Sequence, residues 1–177
     1  MSLRQRRTLV SLSVIEQNPQ VSKTARPGAP VDSGELELAK KSVRNIGTLI
    51  VLIHFMVLLG HGAAHAHLQI RMTNWQSAFI AAVIFAAPLF AAVLLWTSMP
   101  RPGIYLLGGS MAASLFFGIL YHFLAAGADN VFEMAALPWS ATFGLSAALL
   151  AIVEAMACGW SVWVLWFATP AENARIA

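Results

Sequence analysis

Four of the chain's five histidines fall in one apolar run, residues 46–67, IGTLIVLIHFMVLLGHGAAHAH. An imidazole in hydrocarbon is costly unless it is paired or coordinated, so histidines in such a run are candidates for function and each needs a partner. At helical pitch the spacings of seven and four put His54, His61 and His65 within about 40° of one another, a stripe along one face. His67 falls on the opposite side, at the end of the run, where it suits the water interface.

Two imidazoles four residues apart on a helix face can grip one metal ion. His61 and His65 have that spacing. A third imidazole is available at His122, in another apolar run, and the segment after it, AGADNVFEMAALP, holds the acidic residues Asp129 and Glu133. Together His61, His65, His122, Asp129 and Glu133 would make a site for a first-row transition metal. A b-type haem is the other candidate, since it needs one histidine from each of two facing helices, and small residues at Gly60, Gly62, Ala63, Ala64 and Gly118 would leave room for the ring. A plainer reading has the histidines hydrogen-bonding to hydroxyls or carbonyls and joining helices, each bond worth about 0.6–2 kcal/mol. A separate pair, His54 and Glu154, suits a proton relay deeper in the apolar region, although a neutral and inert carboxyl fits there as well.

The segments that must carry these residues are set by hydropathy. The 177 residues are 58% hydrophobic and 11% charged, against about 45–50% and about 25% in soluble domains. A soluble chain of this length could not cover so much apolar surface, whereas lipid removes the need. The expected fold is all-α, an integral membrane four-helix bundle of up-down-up-down topology with spans at 43–67, 76–97, 103–126 and 139–167. Residues 1–41 read as a basic, disordered or amphipathic tail, residues 42–169 as the transmembrane domain and residues 170–177 as a second tail. The tail contains no apolar run long enough for a signal-peptide core. VDSGELELAKKSVRN could form a short surface helix capped by Asp32 or Ser33.

Eight of the eleven Lys and Arg residues (Arg4, Arg6, Arg7, Lys23, Arg26, Lys40, Lys41 and Arg44) precede the first span. With Arg101 and Arg175 on the same side and only Arg71 opposite, the positive-inside rule places both termini in the cytoplasm and the protein in the cell membrane. The first and third spans then run outward together, so His61, His65 and His122 should meet at one depth, near the outer face. Pro88 should kink the second span or free a carbonyl. Gly60, Gly62, Ala63, Ala64 and Ala66 should let another helix come close to the first.

In size and span count the chain resembles small four-helix b-type membrane cytochromes. That resemblance implies one haem at most, because the second and fourth spans contain no histidine.

Other chemistry finds little support. There is no G-x-S-x-G turn, a single Cys158 excludes paired-thiol motifs, and GIYLLGGS does not follow a strand as a phosphate loop would. No aromatic interleaving accompanies the basic residues, which argues against nucleic acid. The expected partners are the lipid bilayer, with membrane subunits or a second copy as further candidates. Three functions remain from the sequence: a metal- or haem-holding membrane subunit, a structural or assembly subunit without cofactor, and a small proton-coupled transporter using His54 and Glu154.

Overall fold

The structure is a computed structural model that describes residues 33–134 and 137–167. The tail at 1–32, with five of the basic residues, and Arg175 near the other terminus lie outside those residues. Four helices are each long and apolar enough to cross a membrane: α1 (Ser33–Leu68), α2 (Asn74–Leu95), α3 (Pro100–Leu124) and α4 (Ser140–Phe167). Each packs on its neighbours in sequence, and α4 closes on α1, so the four form a ring in which α1 and α3 are diagonal.

The surface is inverted relative to a soluble protein. Leu49, Leu52, Met56, Phe90, Phe116, Leu145 and Met156 face outward, whereas His54, His61, His65, His122, Ser114, Ser146 and Glu154 are buried. Apolar side chains outside and polar ones within fit a multi-pass membrane protein in contact with lipid. The belt residues behave as amphipathic rings at an interface. Trp163 and Trp166 are exposed, and Trp96 donates to Thr48 Oγ1 at 2.9 Å beneath the Arg44 guanidinium.

The surface helix expected over residues 31–45 is instead, from Ser33 onward, the beginning of α1, and Asp32, the other expected cap, lies outside the described residues. No proline and no glycine interrupts residues 35–46, so the helix propagates without a break. Its 36 residues extend about 54 Å at 1.5 Å each, well beyond a hydrocarbon core of about 30 Å. At its far end Gln69 takes a left-handed φ of 53°, and the amides of Gln69 and Ile70 return to the carbonyls of Ala66 and His65. That closure satisfies carbonyls the helix would leave bare.

Helix α2 begins with a capping box: Thr73 Oγ1 accepts from the Gln76 amide, and the Gln76 side chain accepts from the Thr73 amide at 2.8 Å. The run T-N-W-Q carries this signal in the sequence. Proline is absorbed by a change of pitch, since a π-helical stretch, Ile80–Ala86, lies directly before Pro88. The missing amide therefore falls where the hydrogen-bond register is already shifted.

Close helix approach occurs elsewhere than expected. A Cβ on Gly60 or Gly62 would meet nothing within 4 Å, and Gly60, Gly62, Ala63 and Ala66 are exposed while Ala64 is buried. These glycines lie off the face that packs, which follows Val51, His54, His61, Ala64 and His65. The tight contacts are at Gly47 on α1, where a Cβ would press on Leu95 Cδ1 and the Trp160 ring, at Gly103, where it would stand 3.0 Å from the Ala91 carbonyl, and at Gly108, where it would stand 2.9 Å from Ser161 Cβ. Around them the core is Val51, Ala91, Leu107, Met111 and Ala157.

Candidate metal centre

His61 and His65 approach from α1, and His122 comes from the last turn of α3, which is π-helical over Leu120–Leu124. A π turn widens the helix and rotates its side chains, a distortion found disproportionately at functional sites. The three imidazoles offer ligand atoms that all lie within 4.8 Å of one another, and each residue is buried. Their rings close round the edge and face of Phe143, with centroids 4.8–5.3 Å from it.

The hydrogen bonds fix the tautomers. His61 Nδ1 lies 3.0 Å from Ser146 Oγ, and that hydroxyl already donates to the Thr142 carbonyl at 2.7 Å. Its remaining capacity is as an acceptor, so Nδ1 of His61 carries the proton. His122 Nδ1 donates to the Asp129 carbonyl at 3.3 Å, and the Asp129 carboxylate lies at the same distance. With both Nδ1 positions protonated, the Nε2 atoms are bare, and they face each other at 3.2 Å. Two lone pairs so placed repel unless a proton or a metal ion lies between them.

His65 adds a further nitrogen. Its Nε2 is 3.3 Å from Asp129 Oδ1, and its buried Nδ1 makes no hydrogen bond. Asp129 Oδ1 is within ion-pair range of two imidazoles but in line with neither N–H, so it too is buried without a hydrogen bond.

The loop after α3 holds Asp129 in place. Gly127 adopts φ 147°, a conformation that side chains disfavour. Asn130 donates to the Ala125 carbonyl and accepts from the Phe132 amide, and the Val131 amide returns to the His122 carbonyl at 2.9 Å. Glu133 is not brought to the histidines. It is exposed, and its carboxylate accepts from the Gly127 amide at 2.9 Å, which pins the loop. His67 is exposed and stacks on Trp139 at 4.1 Å, apart from the cluster.

His54 and Glu154 meet as a second polar layer. His54 Nε2 is 3.2 Å from Glu154 Oε1, and the Ser114 hydroxyl donates to the same oxygen. Ser114, whose hydroxyl the sequence offers as a histidine partner, donates to Glu154 instead, and Ser146 is the polar partner that the sequence reading missed. Ser146 precedes Glu154 by eight residues, close to two full turns, and a polar stripe on α4 was the available signal.

A cavity of about 90 Å³ joins the layers and is lined by His61, His65, His122 and Asp129 at one end and by Ser114 and Glu154 at the other. Comparison with protein-family models, with curated proteins and with solved structures finds no match.

Proposed function

We propose that the protein is a small multi-pass membrane subunit that holds one first-row transition-metal ion through His61, His65 and His122, with Asp129 as the supporting carboxylate. The observation that carries this reading is the approach of the His61 and His122 Nε2 atoms to 3.2 Å, with His65 and the Asp129 carboxylate beside them. Two ligands at 2.0–2.1 Å on adjacent corners of a tetrahedron stand about 3.3 Å apart. Three imidazoles with one carboxylate suit zinc, copper, nickel or iron. Asp129 against Nδ1 of His122 resembles the carboxylate partner that orients a ligating histidine in metal sites.

The same geometry speaks against haem. Axial ligands lie trans, about 4 Å apart at about 2 Å each, and a cavity of about 90 Å³ is far smaller than a macrocycle. The basic residues at the start of α1 support an orientation with both termini in the cytoplasm of a cell-membrane protein and the histidine end outside.

The test is elemental analysis of detergent-purified protein after incubation with zinc or copper and removal of excess ion. One ion per chain in the wild type and none in H61A/H122A is expected. An equal, low metal content in both would leave the histidines as helix-joining groups.

A further inference from the structure

The polar residues fall in two layers with the same spacing on three helices. His54 and His61 on α1 are seven residues apart, Ser114 and His122 on α3 eight, and Ser146 and Glu154 on α4 eight. At 1.5 Å per residue the layers are separated by about 10–12 Å, too far for direct proton transfer. The cavity between them is about 90 Å³, several times the roughly 10–15 Å³ that one water needs, and the polar groups at both ends are the partners such water requires.

Glu154 is the carboxyl group at the deep end. Both of its polar neighbours, Ser114 and His54, use Oε1, and Glu154 is itself a cavity-lining residue. The titratable groups facing it are His54 from α1 and Cys158 one turn along α4. Across the cavity stand His61, His65, His122 and Asp129, and α2 contributes only uncharged side chains.

We propose that the His54–Glu154 pair is the proton-exchanging partner of the histidine centre, so that entry of a divalent cation there is coupled to loss of one proton from Glu154 through the cavity water. The inference rests on the metal-binding reading. Three neutral imidazoles and one carboxylate leave a bound dication with a net charge of +1, and a buried unbalanced charge is expensive. Release of one proton from the pair leaves −1 on it, and the two layers then sum to zero. The ion enters, the Glu154 O–H bond breaks heterolytically, and the proton passes to solvent along the cavity. No electrons move.

The test is zinc titration of the full-length protein in detergent by calorimetry in buffers of differing ionisation enthalpy, which counts protons released per ion. The wild type is expected to release one more proton than E154Q, which keeps an oxygen for Ser114 and His54. Infrared difference spectra of the wild type supply a measurement independent of any variant. Zinc should erase a protonated-carboxyl C=O band that shifts when glutamate is isotopically labelled. Equal proton counts, or a zinc-insensitive carboxyl band in protein that binds zinc, would overturn the coupling alone. Failure of the wild type to bind zinc or copper would overturn the metal reading and this inference with it.

Discussion

His61 and His122 turn their Nε2 atoms toward each other at 3.2 Å from helices that do not otherwise pack closely, since α1 and α3 are diagonal in the ring. Each imidazole is oriented from behind by an oxygen on a different element, Ser146 on α4 for His61 and Asp129 in the loop for His122.

Those supporting oxygens should matter nearly as much as the ligands. Loss of an outer-shell partner typically costs about 10–100-fold in metal affinity, so S146A should weaken zinc binding by that order, and D129N, which keeps the main-chain carbonyl but removes the carboxylate charge beside His65 and His122, should weaken it as well. Competition with a chelator of known affinity checks this. H61A should lose more than either. An S146A protein with unchanged affinity would show that the serine does not set the His61 tautomer.

The depth match of His61, His65 and His122 was legible in the sequence because the first and third of four successive spans run in the same direction, and both carry histidine near their ends. His54 and Glu154 could be grouped by depth in the apolar region, and the structure adds their direct contact. The choice between Asp129 and Glu133 could not, because it depends on a loop whose path is set by Gly127 and Asn130, and neither residue announces which carboxylate will turn inward. Nor could the packing face of the glycines be read. Gly60 and Gly62 share a segment with the histidines, but a helix presents only one side to its neighbours, and that side follows the histidine stripe rather than the glycines. The side chains that do touch, at Gly103 and Gly108, are distinguished only by what stands opposite.

The glycines therefore give a paired prediction. G108V drives a Cβ to 2.9 Å from Ser161 Cβ and should cost about 1–3 kcal/mol by overpacking. G60A and G62A, with open space around the added methyl, should be neutral or stabilising by up to about 1 kcal/mol. Reversible unfolding in mixed micelles measures both. A neutral G108V would mean that α3 and α4 are not in close contact there.

His54 and Glu154 are both fully or nearly fully buried, at 0% and 3% exposure, so removing Glu154 strips the His54 imidazole of its partner, and removing His54 leaves Glu154 with Ser114 alone. H54A and E154A should each destabilise the protein by about 1–3 kcal/mol. The double variant should show a coupling of about 0.5–3 kcal/mol. Additive effects in the same unfolding assay would deny the contact.

Orientation can be read by labelling. In a C158A background, R71C should react with a membrane-impermeant maleimide added outside intact cells, and K40C should react only after lysis. The reverse pattern would put the histidine end in the cytoplasm and leave the cluster's geometry unaffected.

The central claim is that one ion sits among three imidazoles, and X-ray absorption at the zinc edge of the loaded wild-type protein examines that arrangement directly. The expected spectrum has a four-coordinate shell at 2.0–2.1 Å with the multiple scattering of three imidazole rings, reduced in H65A and lost in H61A/H122A. An oxygen-only shell without imidazole scattering, or the same spectrum from a variant lacking His61, His65 and His122, would contradict it.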